Sequence, residues 1–266
     1  MKLDVRPSTW RRGLRIFGGR LFSLAENNND PRFAYNGELW LLRHLLAAHV
    51  AKKTKRPFVA CDAGANVGGY TRNILQEAKY ANCPVEVHVF EPSPLCLDAL
   101  RGAFGATPAV RIVGAALADQ AGEASLFAGK TGSSLASLVS RPVLAAEMES
   151  TLRVPLLLLG DYMKAQAITH IDLLKLDVEG SELPALRGLN EQLRPEIIDV
   201  IQFEYGGATL DGDTTLREIY ELLVGRGYVL AKLFPHALEI RSYSAWMENY
   251  AYANYVALAP HWAAGR

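Results

Sequence analysis

Apolar residues gather in short runs through the middle of the chain, and segments of helical periodicity separate the runs. Phe58–Cys61 is nearly all apolar, and Val85–Phe90, Val110–Ala116, Ile171–Leu176 and Ile197–Phe203 are further apolar-rich runs of strand length. Such runs are expected of parallel strands covered on both faces. Tyr70–Lys79 reads as a helix, and the cap and first-turn pair Ser93–Pro94 opens another that runs to about Phe104. Ser181 caps a third, with Glu182 as a first-turn charge, ending near Leu193 before Pro195. Thr214–Gly225 is a fourth. The alternation predicts a parallel sheet with helices on both faces and right-handed crossovers. Tyr228–Phe234 and Asn254–Ala259 lack an ordinary helical crossover between them, so the final strand is expected to be antiparallel. Residues 121–153 read as an excursion: short strands at Ala124–Ala128 and Leu152–Leu159 flank a small-residue loop at 129–134.

Ahead of the first run, Leu39, Leu42, Leu45, Leu46 and Val50 recur at helical spacing after Glu38, and Pro57 stops the helix. Nearer the N-terminus, Trp10, Leu14, Ile16, Phe17, Leu21 and Phe22 alternate with Arg11, Arg12, Arg15 and Arg20. This segment reads as a covering helix with solvated arginines in preference to a membrane-surface anchor, because its apolar stripe is short. The expected organisation is therefore an N-terminal helical segment, 1–56, packed on one folding unit, 57–266. The full length of 266 residues suits one large α/β domain.

Composition narrows the partners. Lys plus Arg and Asp plus Glu number 28 each, which gives no dominant field for nucleic acid. No apolar run approaches the ~20 residues of a membrane helix, so stable membrane insertion is not expected. Cys61, Cys83 and Cys96 are odd in number and lack metal spacing, which predicts reduced, mostly buried thiols in a cytoplasmic protein. Formation of homo-oligomers is left open.

Two constellations carry chemistry. In the first, a strand ends in Asp62 and turns through Gly64, Asn66, Gly68 and Gly69 into a helix. Glycines there let backbone N–H groups approach a ligand closely. The next strand ends in Glu91, where a nucleoside's ribose hydroxyls want a carboxylate. Asn66 replaces the middle glycine of the dinucleotide fingerprint, and the pattern is closer to an S-adenosylmethionine site. The bland alternative is a turn whose glycines serve only packing. Asp119, after the third strand, is the adenine-side candidate, against a plain turn residue. In the second constellation Asp177 and Glu179 end one strand and Glu204 ends the next, so three acids converge on one sheet edge. Asp177 is the candidate general base, with Glu179 and Glu204 positioning an acceptor. His170 is the alternative base, set against a surface histidine, and Lys175 more plainly neutralises its acidic neighbours. A divalent cation held by these carboxylates also remains open.

Asp-Ala-Gly-Ala-Asn-Val-Gly at 62–68, Phe-Glu-Pro at 90–92 and Asp-Leu-Leu-Lys-Leu-Asp-Val-Glu-Gly-Ser-Glu at 172–182 together resemble the FkbM family of S-adenosylmethionine-dependent methyltransferases. Asn36-Gly37-Glu38, Glu204 and Ala253-Asn-Tyr-Val-Ala257 share the resemblance, which covers roughly residues 33–259. It implies a Rossmann-like class I methyltransferase with a mostly parallel seven-stranded sheet, S-adenosyl-L-methionine as cofactor, and Asp62, Gly64, Asn66, Gly68, Glu91, Asp119 and Glu38 on the cofactor side. The implied reaction is methylation of a hydroxyl on a sugar, polyketide or similar small natural product. An NAD-dependent dehydrogenase on the same scaffold and a non-catalytic methyltransferase-like module are the competing readings.

Overall fold

A computed structural model describes residues 9–128, 136–139 and 150–263. The chain opens with α1 (Thr9–Ala25) and α2 (Glu38–Ala51), then alternates β1 (Phe58–Ala63), α3 (Gly69–Tyr80), β2 (Val85–Phe90), α4 (Pro94–Phe104) and β3 (Val110–Val113). Three short strands follow: β4 (Ala116–Leu117), β5 (Gly122–Ala128) and β6 (Ser150–Leu157). The alternation resumes with α5 (Leu159–Ala165), β7 (Leu173–Leu176), α6 (Glu182–Arg187), β8 (Val200–Tyr205), α7 (Gly207–Asp211) and α8 (Leu216–Gly225). The chain closes with β9 (Val229–Phe234), β10 (Ala237–Ile240), β11 (Ala253–Leu258) and α9 (Pro260–Ala263).

The main sheet has the order β10-β9-β11-β8-β7-β1-β2-β3. Strands β3, β2, β1, β7 and β8 pair in parallel, and β11 is antiparallel to both β8 and β9. The antiparallel final strand matches the expectation. The strand count does not: eight strands form the sheet, because β10 returns from β9 as a hairpin strand. Four residues with mostly exposed side chains make too short an alternation to read from sequence. The excursion builds its own sheet, ordered β4-β6-β5, and the loop at 129–134 lies outside the described residues. The expected third strand therefore splits at 114–115, and its end crosses into the second sheet. The Leu152–Leu159 run stops earlier than its apolarity suggests, because Leu159 starts α5.

Core side chains divide between the two faces. On one, Leu42, Leu46, Ile74, Leu100 and Phe104 from α2, α3 and α4 pack over Phe58, Val87 and Val89. On the other, Leu159, Met163, Leu186, Ile219 and Leu223 cover Cys61, Leu174, Leu176 and Ile201. Apolar burial of this kind is the main stabilising term. Locally, Thr215 caps α8 by accepting the Glu218 N–H, while the Glu218 carboxylate accepts the Thr215 N–H. The covering helix expected within residues 10–22 forms as α1 but buries none of its residues. The layer over the sheet is supplied by α2 instead.

At the N-terminal edge of the parallel strands, Asp172 is 4% exposed and accepts bonds from Arg56 Nη1 and Nη2 at 2.5 and 2.8 Å and from Val59 N–H at 2.8 Å. His49 Nδ1 stands 3.2 Å away. Removing the carboxylate strands these groups, so Asp172→Ala is expected to cost about 2–3 kcal/mol, discounted because Arg56 is partly solvated. Urea denaturation checks this; a cost below about 0.5 kcal/mol would mean the cluster is idle.

Candidate active site

The C-terminal ends of β1, β2, β7 and β8 surround a cavity of about 490 Å³, within the range typical of small-ligand sites. Its lining includes Gly64, Asn66, Phe90, Glu91, Leu117, Lys175, Asp177, Glu179 and Glu204. Glu38, Tyr70, Asn73, Ser137, Ser181 and Tyr252 add to the polar part of the wall. Both motifs read from sequence therefore face one space.

Backbone geometry brings them together. Gly64 has φ +80°, and a Cβ there would fall 1.8 Å from the Asp177 carbonyl oxygen. Only glycine lets the β1 turn come this close to the β7 end. Asn66 also sits in the left-handed region, at φ 51°. Its N–H donates to Glu91 Oε2 at 2.8 Å, and the Ser93 N–H donates to Oε1 at 2.8 Å. Glu91 is thus a pin for the glycine turn as well as a cavity wall. Burial pushes its carboxyl above the ordinary range, although both N–H bonds oppose the shift.

A second buried acid holds the facing turn in the same manner. Glu182 Oε1 accepts the Val178 N–H at 3.2 Å and the Gly180 N–H at 3.3 Å. The residue does lie in the first turn of α6, as expected, but it is 2% exposed and also shapes the loop carrying Asp177 and Glu179. Glu179 adopts φ 50°, and its carbonyl accepts the Ser137 hydroxyl at 2.6 Å.

Beneath the cavity a polar rung crosses the sheet, with Asp62, Lys175 and Gln202 side by side on β1, β7 and β8. Lys175 Nζ lies 3.3 Å from Asp177 Oδ2, 3.2 Å from Glu204 Oε1 and 3.6 Å from Glu38 Oε1. Burial favours a neutral amine, yet Asp177, Glu204 and Glu38 outweigh it and hold the lysine well above its usual value. Glu204 is also raised, first by burial and then by its acidic neighbours, even though Lys175 opposes this. Three carboxylates around one ammonium leave excess negative charge, so both groups are pushed to keep their protons. Gln202 Nε2 donates to Glu38 Oε1 at 2.6 Å and Asn254 Oδ1 at 2.9 Å, while the hydroxyls of Tyr70 and Tyr252 donate to Gln202 and Glu204. Gln202, Tyr252 and Asn254 are partners that sequence reading missed. Asn254 carried a signal within the Ala253–Ala257 resemblance, but its role did not.

Three predicted residues fall outside the lining. Asp62 is buried behind the turn, where its carboxylate accepts the Thr71 hydroxyl at 2.5 Å, and burial raises it to about 6. Gly68 is packed against Phe104 and Leu100. Asp119 is exposed beyond β4, and the wall on that side consists of Ala115, Ala116 and Leu117. His170 sits at the opposite end of β7 beside Asp172 and Asp199, so it cannot serve this cavity as a base.

For metal, His170, Asp172 and Asp199 bring ligand atoms within 4.8 Å of one another, the sole such group among the described residues. Arg56 and Val59 already satisfy Asp172, and Lys52 Nζ stands 3.7 Å from Asp199. Inside the cavity, the Lys175 ammonium takes up the place among the carboxylates that a divalent cation would need.

The Glu182 pin makes a pH prediction. Burial raises its carboxyl from 4.5 to about 7. A raised folded-state value means that protonation stabilises the fold: the contribution is complete below 4.5 and lost as pH rises through about 7. Glu182→Gln removes that titration. Urea midpoints measured at about pH 5 and about pH 8 should fall more for the parent chain than for the variant, and equal changes would contradict the assignment.

The sequence profile of the family described as Methyltransferase FkbM domain matches residues 62–230, more than half of the chain. Among curated relatives, the 31-O-demethyl-FK506 methyltransferase FkbM of Streptomyces tacrolimicus is 28% identical over 202 residues, covering 65% of this chain and 73% of its own. The methyltransferase sdnD of Sordaria araneosa is 29% identical over 171 residues, 54% of this chain and 64% of its own. Among solved structures, the methyltransferase FkbM from Methylobacillus flagellatus is similar at 13% identity and TM-score 0.48, with 92% of this chain and 60% of that one covered. The profile match spans both the glycine turn and the acidic strand ends that build the cavity, and the chain belongs to the FkbM family of methyltransferases.

Proposed function

We propose that the chain is an S-adenosylmethionine-dependent O-methyltransferase acting on a hydroxyl of a sugar, polyketide or similar natural product. One observation carries this reading: the Gly64–Asn66 turn with Glu91, and the acids Asp177, Glu179 and Glu204, line the same cavity. The names of the two curated relatives, one an O-demethyl-FK506 methyltransferase, support it.

The donor side fits a nucleoside. Each Glu91 oxygen takes one backbone N–H and keeps lone pairs for ribose hydroxyls. Phe90, Leu117 and Leu126 offer an apolar wall for the base, in place of a contact from Asp119. Glu38, oriented by Asn36 and Gln202, presents a carboxylate suited to the methionine ammonium. When bound, S-adenosylmethionine supplies an electrophilic methyl group on a sulfonium.

The chain's residues then hold the acceptor oxygen in line and take up its proton. Positioning of this kind supplies up to roughly 7–11 kcal/mol in favourable cases. Asp177 is the base, its carboxylate steadied by Lys175 at 3.3 Å. Glu204, raised by burial and held by Lys175 and Tyr252, positions the acceptor hydroxyl together with Glu179. The excess of carboxylates on this wall favours a neutral hydroxylated acceptor over an anionic one.

Calorimetric titration with S-adenosylmethionine and with NAD separates this reading from a dehydrogenase: binding of the first alone is expected, and binding of NAD alone would overturn it. Glu91→Ala should weaken the donor by about 1.5–3 kcal/mol, roughly 10- to 100-fold in Kd, and an unchanged Kd would remove Glu91 from the site. Asp177→Asn should leave donor affinity nearly unchanged while turnover, followed by radiolabelled methyl transfer to a panel of hydroxylated acceptors, falls roughly 10²- to 10⁴-fold. Intact turnover would show that Asp177 takes no proton.

A further inference from the structure

Among the described residues, helix α1 has an apolar face that no other element covers. Trp10, Leu14, Phe17, Leu21 and Leu24 recur at alternating spacings of four and three, which aligns them along one side of the helix. Each of the five is between 51% and 82% exposed. Leu24 and the regular spacing extend the stripe along the whole 17-residue helix, further than the short run legible in the sequence.

The charged residues of α1 are all basic. Arg11, Arg12, Arg15 and Arg20 lie within it, and Thr9–Ala25 contains no Asp or Glu. Gly13, Gly18 and Gly19 lower its intrinsic helicity by roughly 1 kcal/mol each relative to alanine. A 17-residue helix with three glycines and no buried residue needs a surface that stabilises it.

A second copy is a poor match for that surface. The positions flanking the stripe are Arg11, Gly13, Gly18 and Arg20, which give no acid to pair with either arginine across a coiled-coil seam. Anionic lipid complements both features: acyl chains accept the apolar stripe, and phosphates accept the arginines. We propose that α1 binds peripherally to anionic phospholipid bilayers, with its Trp10–Leu24 stripe at the boundary of headgroups and acyl chains.

The junction with the body suits such docking. Glu26, directly after α1, accepts bonds from Lys232 Nζ at 3.1 Å and Arg241 Nη1 at 2.5 Å. Phe22 packs edge-to-face on Trp246 with ring centroids 6.3 Å apart, and Trp246 is itself 53% exposed. The following loop carries Pro31 and Phe33, which line the cavity. A bilayer held by α1 therefore lies one loop away from the cavity rim. This binding is independent of a transmembrane span; no described helix is long and apolar enough to cross a membrane.

Co-sedimentation of the full chain with phosphatidylcholine vesicles, with and without phosphatidylserine, tests the idea. Binding is expected with the anionic vesicles, much weaker with the neutral ones, and reduced by high salt. Replacing one arginine, as in Arg15→Gln, should lower binding about fivefold. Phe17→Asp should abolish it while leaving the melting temperature unchanged, since Phe17 is exposed. Equal sedimentation with and without anionic vesicles overturns the proposal, as does vesicle binding that survives Phe17→Asp. Dimers in analytical ultracentrifugation that dissociate on Phe17→Asp also overturn it and assign the stripe to a contact between copies.

Discussion

The close approach of the β1 turn to the end of β7 is the constraint on which the site depends. Gly64 touches the Asp177 main chain at a distance that leaves no room for a side chain. Because β1 and β7 are hydrogen-bonded neighbours, the contact fuses two loops into one wall. Without it, the turn that faces Glu91 and the loop that carries Asp177 would open away from each other. Each loop is then pinned by its own buried acid, Glu91 for one and Glu182 for the other. Buried carboxylates that accept backbone N–H groups fix a loop more firmly than apolar packing alone, because an unpaired buried N–H is costly.

Around Lys175 the same economy of buried charge operates. One ammonium serves Glu38, Asp177 and Glu204, which come from three separate parts of the chain. Around it, Gln202 donates to Glu38 and Asn254, Tyr70 donates to Gln202, and Tyr252 donates to Glu204. A network of this kind can be held in a sheet interior only if nearly every member is paired. It supports the carboxylates that face the cavity and resists their rearrangement.

Much of this was legible in the sequence, for an identifiable reason. Strand ends followed by glycine or acid mark the C-terminal edge of a parallel sheet, so Gly64, Asn66, Glu91, Asp177, Glu179 and Glu204 could be placed on one edge. What stayed hidden depends on geometry between distant residues. Asp62 looks like a ligand group by position, yet strand alternation turns it beneath the loop to Thr71. Glu182 looks like a first-turn helix charge, which it is, and only the fold of 178–180 above it reveals a pin. The second sheet was obscured because β4 is two residues long and follows β3 after a break of only two residues. For α1, the periodicity was visible, but only the tertiary packing shows that the described residues of the body leave its stripe exposed.

A crystal structure of the chain with S-adenosylhomocysteine would show whether the turn and the acids share one ligand. Ribose hydroxyls are expected within hydrogen-bond distance of Glu91, with the sulfur pointing toward the wall of Asp177 and Glu204 and the base against Leu117. A ligand bound away from Glu91, or with its sulfur facing away from Asp177, would contradict a shared site.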